Sequence, residues 1–134
     1  MTRPIRVLLV DDHFLVRQGL RKYLSHHLDI ELVGEATDGE EAVKLTDLLK
    51  PDVVVMDIHM PRMNGIEATK RIRGAHAAPV VIGLSINTCT QVVEGMREAG
   101  ADAFLSKEDG TQHLYSVIKQ LVELRFPLHS HAPI

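Results

Sequence analysis

The 134-residue chain has a single cysteine, Cys89, so no disulfide can close within it and burial alone must hold its core, as suits a reducing compartment. It has no basic excess. Against 18 Asp and Glu stand 15 Lys and Arg, a formal charge of -3, which offers no positive face from which a phosphate backbone could release counterions. Nucleic-acid binding by this segment is not expected, and any DNA-binding part belongs outside it. It also lacks a long apolar run: Ile5 to Val10 is too short to cross a bilayer and runs straight into Asp11 and Asp12. The expectation is a cytoplasmic protein with no membrane partner. No internal repeat, low-complexity tract or Gly/Ser linker interrupts the chain, and 45% hydrophobic residues suffice for one core. Periodicity is lost after residue 125. Residues 1–125 therefore read as one domain, and 126–134 as a disordered tail or linker stub.

What is present is an alternation. Ile5-Arg-Val-Leu-Leu-Val10 is a short aliphatic run of the kind that is buried on both faces of a parallel sheet. Similar runs recur at Ile30–Val33, Asp52–Met56, Val80–Leu84 and Ala103–Leu105, each followed by residues at helical spacing. Val16, Leu20, Tyr23 and Leu24 make one apolar stripe, and Ala42, Leu45, Leu48 and Leu49 make the next. A third helix begins near Asn64-Gly65 with Ile66, Thr69 and Ile72 inward. A fourth carries Val92, Met96 and Ala99 and stops at Gly100; a fifth carries Leu114, Val117, Ile118, Leu121 and Val122. Gly34, Gly39 and Gly74 read as punctuation between elements. Five βα units with right-handed crossovers predict an α/β fold: a doubly wound, flavodoxin-like parallel sheet in strand order 2-1-3-4-5 with helices on both faces. Ligands of such sheets sit beyond the carboxyl ends of the strands, at the switch point between strands one and three.

Four of the five strands deliver a polar group to that rim: Asp11-Asp12 after strand one, Asp57 after strand three, Ser85 after strand four and Lys107 after strand five. Taken singly, an acidic pair is a solvated turn or a helix cap, and a lysine is a surface lysine. Together, three carboxylates at one crevice repel each other and raise their proton affinity unless a cation compensates. Few oxygen ligands, with positions left for water and a phosphoryl group, favour Mg2+, with Mn2+ as a substitute. Lysine and serine add a point charge and a directional donor suited to phosphate.

The chain resembles the receiver domain of bacterial two-component response regulators, from about Ile5 to Leu124. The matching motifs are Val-Leu-Leu-Val-Asp-Asp-His at 7–13, Val-Val-Met-Asp-Ile-His-Met-Pro-Arg-Met-Asn-Gly at 54–65, Gly-Leu-Ser at 83–85 and Phe-Leu-Ser-Lys at 104–107. The details resemble receivers that precede helix-turn-helix outputs and those attached to hybrid sensor histidine kinases. The resemblance implies that Asp57 is the phosphoacceptor, taking its phosphoryl group from a phosphohistidine of a sensor histidine kinase. It implies that Asp12, Asp57 and the His59 backbone carbonyl ligate Mg2+, with Asp11 acting mainly through water. Lys107 pairs with Asp57, Ser85 and Phe104 form the switch, and His59 and Asn87 tune water access. The output is expected on a domain or effector outside this chain. It would be controlled through the surface of helix 4, strand 5 and helix 5, with a homodimer of the phosphorylated form among the expected partners; signalling through helices 1 and 5 is the alternative. Such a domain catalyses only its own phosphorylation and dephosphorylation, so it is not classed as an enzyme.

Two departures stand out. Glu108 replaces the proline common after the active lysine, which leaves the Lys107–Glu108 bond open as cis or trans, and Phe104 replaces a common tyrosine. The remaining histidines suggest no zinc site: His26 and His27 are adjacent and cannot share a helix face, His129 and His131 lie in the tail, and a magnesium set disfavours the His59 ring. Three competing readings are weighed. A small Mg-dependent phosphohydrolase usually carries a second acid where His59 stands. A flavin carrier needs a phosphate loop that Asp11-Asp12 would repel. A phosphorylation-independent docking module has no need of the full set Asp11, Asp12, Asp57, Ser85 and Lys107.

Overall fold

The computed structural model describes residues 3–75, 77–86, 88–108 and 110–127. Strands β1 (Ile5–Val10), β2 (Ile30–Ala36), β3 (Val53–Asp57), β4 (Val80–Ser85) and β5 (Ala103–Ser106) alternate with helices α1 (Phe14–Ser25), α2 (Gly39–Leu49), α3 (Gly65–Arg73), α4 (Thr90–Ala99) and α5 (Leu114–Arg125). The strands form one parallel sheet in the order β2-β1-β3-β4-β5, as the βα alternation predicts.

Because side chains alternate along a strand, the sheet sorts its aliphatics into two layers. Ile5, Val7 and Leu9 of β1 join Val53, Val55, Val80, Ile82 and Leu84 beneath α1 and α5. Leu8, Val10, Val54, Met56 and Val81 face the other way, onto Ala42, Ala68, Ile72 and Met96 of α2, α3 and α4. The near-continuous apolar runs of β1, β3 and β4 follow from this burial on both faces. Phe126 packs on the first layer; from residue 128 onward the expected tail lies outside the described residues.

Helix ends follow local chemistry. Asp38 accepts from the Glu41 N–H at 2.8 Å and Asn64 from the Glu67 N–H at 3.0 Å, each satisfying an otherwise orphaned donor at a helix start. Gly100 ends α4 at φ 107°, where a side chain would be strained. Cys89 is exposed at the cap of α4.

Two readings are corrected. Leu48 does not complete the α2 stripe: it is 72% exposed, while Ala42, Leu45 and Leu49 face the sheet. Gly34 is no punctuation; it lies inside β2, which runs on to Ala36 through a register shift opposite Val7 and Leu8. A Cβ at Gly34 would stand 2.9 Å from Leu49 Cδ1, so glycine there lets α2 sit close on the sheet. Among the described residues no peptide bond is cis, Lys107–Glu108 included, and no helix is long and apolar enough to cross a membrane.

Candidate functional site

The C-terminal ends of β1, β3, β4 and β5 converge as expected. Asp57 is the last residue of β3 and Ser85 the last of β4, both buried; Lys107 directly follows β5. The Lys107 main-chain N–H donates to the Ser85 carbonyl at 3.0 Å, continuing the β4–β5 pairing past the strands and fixing the lysine's root. Its ammonium then reaches inward across the ends of β4 and β3, donating to Asp11 Oδ2 at 2.6 Å and pairing with Asp57 Oδ1 at 3.0 Å.

Asp57 sits where two glycines let a loop fold back. A Cβ at Gly65 would lie 2.1 Å from the Asp57 carbonyl oxygen, so any side chain there would push α3 off the end of β3. The Gly65 N–H donates to the Ile58 carbonyl at 2.8 Å. On the far side Gly39 N–H donates to the Met63 carbonyl at 2.9 Å, in a space where a Cβ would lie 2.2 Å from that same oxygen. Between them Arg62 adopts φ 64°, a left-handed conformation costing roughly 1–2 kcal/mol for a residue with a side chain. Its guanidinium holds Asp38 at the start of α2, which ties the loop down.

The electrostatics are unbalanced. Burial, followed by the neighbouring Asp11 charge, holds the Asp57 carboxyl above its ordinary value even though Lys107 pulls it down. Lys107 is pulled down by burial, but its bonds to Asp11 and Asp57 outweigh that and keep it raised, hence charged. Asp57 Oδ2 is buried and has no hydrogen-bond partner among the described residues. Asp12 lies at the mouth of the crevice, its side chain 30% exposed. Ligand atoms of Asp11, Asp12, His13 and Asp57 all lie within 4.8 Å of one another. A buried carboxylate oxygen without a donor, beside two further acids, fits a hard divalent cation of the magnesium class.

Of the other expected residues, His59 is exposed two positions beyond Asp57. Phe104 packs half-buried on the second layer, beside the space left by Gly83 and near Met96. Asn87 lies outside the described residues. Sequence reasoning missed His13, whose Nδ1 lies 3.0 Å from Asp11 Oδ1, and Arg17, which donates to the Asp11 carbonyl at 2.8 Å and to Glu35 at 3.0 Å. The signal for His13 was its place directly after the acidic pair, at the cap of α1.

A family model for the response regulator receiver domain matches residues 7–119. The chain belongs to that family. The transcriptional regulatory protein LiaR of Bacillus subtilis is 44% identical over 115 residues, which cover 86% of this chain and 54% of LiaR. The response regulator UvrY of Escherichia coli is 42% identical over 117 residues, 87% of this chain and 54% of UvrY. A LuxR-family two-component response regulator from Aurantimonas sp. SI85-9A1 superposes with a TM-score of 0.83 at 33% identity, covering 89% of this receiver and 85% of that chain. The receiver thus spans about half the length of these curated relatives. Domains of this family are two-component signalling switches rather than metabolic enzymes.

Proposed function

We propose that the receiver takes a phosphoryl group onto Asp57 from a phosphohistidine of a sensor histidine kinase, and that the modified domain controls an output outside residues 1–125. The observation carrying this reading is the state of Asp57: buried, oriented through Oδ1 by Lys107, and with Oδ2 uncommitted among the described residues. The Asp57 carboxylate attacks phosphorus, the phosphorus–nitrogen bond breaks with its electron pair passing to the donor imidazole, and an acyl phosphate remains. Lys107, held charged between two acids, neutralises a phosphoryl oxygen without needing to move far. Asp12, Asp57 and the His59 carbonyl would hold Mg2+, or Mn2+ in its place, with Asp11 acting through water; the ion supplies charge compensation for the phosphoryl oxygens.

Ser85, buried beside Lys107 at the end of β4, would donate to the phosphoryl group and draw the following loop inward. Phe104 would then turn into the space beside Gly83, where the missing Cβ would stand 3.3 Å from its ring. Since the ring has no hydroxyl, its two states differ mainly in apolar burial. The surface of α4, β5 and α5 would change with it and serve partner binding or dimerisation. His59, exposed at the loop, and Asn87 would set how readily water reaches the acyl phosphate.

The test is acetyl phosphate with magnesium, followed by intact mass. Wild type gains one phosphoryl group and Asp57→Asn gains none. Retention of the label by Asp57→Asn would defeat the assignment, and no incorporation by wild type would favour a docking module.

A further inference from the structure

The three acids at the switch rim differ in what positions them. Asp11 is bonded through both carboxylate oxygens, Oδ1 accepting from the His13 main-chain N–H at 2.8 Å and Oδ2 from Lys107 at 2.6 Å. Asp57 is held through Oδ1 by Lys107 at 3.0 Å. Asp12 has no comparable hold: its side chain is 30% exposed, and among the described residues its partner is the His13 ring, itself 64% exposed, at 3.1 Å. The direction in which Asp12 points is therefore set by its main chain.

That main chain is held by Arg17, in the first turn of α1. The Asp11 N–H still belongs to the sheet, donating to the Ala36 carbonyl at 3.0 Å. One peptide further on, Arg17 takes over: its Nη1 donates to the Asp11 carbonyl at 2.8 Å, the oxygen of the peptide that joins Asp11 to Asp12. A peptide unit is planar, so holding its oxygen also sets the plane in which the Asp12 nitrogen and Cα lie. The guanidinium is itself immobilised. Its Nε donates to Glu35 Oε1 at 3.0 Å near the end of β2, its side chain is only 12% exposed, and it lies over the Phe14 ring at 5.8 Å. Arg21 takes the other Glu35 oxygen at 3.0 Å and steadies that acceptor from outside. A rigid, planar fork reaches both the Asp11 carbonyl and the Glu35 carboxylate at once, which the single point charge of a lysine cannot do.

We propose that Arg17 is a positioning residue of the switch: its two-acceptor fork, anchored on Glu35, orients Asp12 toward the crevice and thereby sets the affinity for magnesium. The inference rests on the reading of Asp12 and Asp57 as the cation site. Magnesium demands near-ideal octahedral geometry and gives up water reluctantly, so a ligand that must first be brought into place weakens binding directly. Residues that touch no ion but hold its ligands commonly change metal affinity by about 10- to 100-fold. Arg17 acts at the acid that has the weakest side-chain hold of the three, where such an effect is largest.

The experiment titrates Mg2+ into the full 134-residue chain and reads the dissociation constant from amide resonances, for wild type, Arg17→Met, Arg17→Lys, Arg21→Ala and Asp12→Asn. Urea unfolding without metal is measured alongside, so that a loss of stability is not mistaken for a loss of affinity. Arg17→Met keeps the apolar stem and should weaken magnesium binding about tenfold or more. Arg17→Lys keeps the charge without the fork; it should weaken binding about threefold or more with the fold intact, and it carries the test if Arg17→Met does not fold. Arg21→Ala should stay within about twofold of wild type, because Arg17 retains its own Glu35 oxygen. Wild-type magnesium affinity in folded Arg17→Met or in Arg17→Lys assigns Arg17 to stability alone and overturns the inference, as does a loss in Arg21→Ala equal to that in Arg17→Met. Unchanged binding by Asp12→Asn would instead refute the underlying cation site, and the inference with it.

Discussion

The two rims of the sheet use the same residue type to opposite ends. At the N-terminal rim Asp29, Asp52 and Asp102 each stand immediately before a strand, and each is met by cations. Arg3 clasps Asp52 through two bonds of 2.9 and 3.0 Å, while the Arg6 N–H donates to the same carboxylate at 2.9 Å. Asp102 accepts from Arg125 at 2.7 Å and from the Val81 N–H at 2.9 Å, with Arg73 at 3.5 Å. Asp29 accepts from Lys119 and Tyr115, both at 2.8 Å. At the C-terminal rim Asp11 and Asp57 share one lysine, with Asp12 beside them at the mouth. Paired acids before strands anchor the chain; the excess of acids after strands is destabilising on its own and would be relieved by a cation. One rim holds the fold and the other is held ready by it.

The largest effect should come from breaking the paired rim. Asp52→Ala leaves the Arg6 N–H and the Arg3 guanidinium without their acceptor, and should cost about 2–3 kcal/mol. Urea unfolding measures it as a lower midpoint at unchanged slope. A loss under about 0.5 kcal/mol would mean that the pre-strand aspartates are ornamental and that the contrast between the rims is empty.

At the other rim the sign reverses. Because the folded Asp57 carboxyl is held above its ordinary value, the folded state binds its proton more tightly than the unfolded chain does. Stability from this group is therefore present below the ordinary carboxylate value and lost as pH rises through the raised folded value. At neutral pH, free of metal, Asp57→Asn removes that penalty and should raise stability by about 1 kcal/mol. The gain should fade in acid, and saturating magnesium should invert it, since only wild type retains the full ligand set; binding at one hundred times the dissociation constant stabilises by about 2.7 kcal/mol. Thermal melts across pH, with and without magnesium, decide it. A variant less stable than wild type at neutral pH without metal would show that Lys107 already neutralises the crevice.

How much of this was legible follows from how far each contact reaches along the chain. The strands were readable because β1, β3 and β4 are buried on both faces and so appear as unbroken aliphatic runs. Once the strand order is inferred, the residue after each strand is placed at one rim. This is why the sequence alone groups Asp11, Asp12, Asp57, Ser85 and Lys107. Leu48 misled because a stripe at helical spacing does not reveal how wide an arc the sheet covers. Gly39 reads as punctuation and Gly65 as a helix start, since nothing local reveals that a distant carbonyl occupies the place of their Cβ. Gly95 of α4 is a further case: its missing side chain is where Ile66 of α3 packs, with Cδ1 2.9 Å from the position of a Cβ. The base pairs were invisible for the same reason: Asp29 meets Tyr115 and Lys119 across most of the chain.

The smallest effect belongs to that last pair. Burial acts to raise the Asp29 carboxyl, but the bonds from Lys119 and Tyr115 outweigh it and hold it below its ordinary value. The sign is opposite to that of Asp57: this contribution is present above the ordinary carboxylate value and lost as pH falls through the lowered folded value. The pair is partly solvated, with Asp29 39% and Lys119 31% exposed, so solvent screening keeps it weak. Lys119→Met keeps the apolar stem and removes the charge. It should cost about 0.5 kcal/mol at neutral pH in low salt, less in high salt, and nothing in acid where Asp29 is protonated. Tyr23 and His27 bracket the same corner, His27 stacked on the Tyr115 ring at 3.6 Å, so the packing survives the substitution and the measured change reports charge alone. Denaturant titrations of wild type and Lys119→Met at neutral and acid pH, in low and high salt, make the measurement. A cost independent of both pH and salt would place the contact with the packing of α5 and would remove Asp29 from the set of acids anchored by charge.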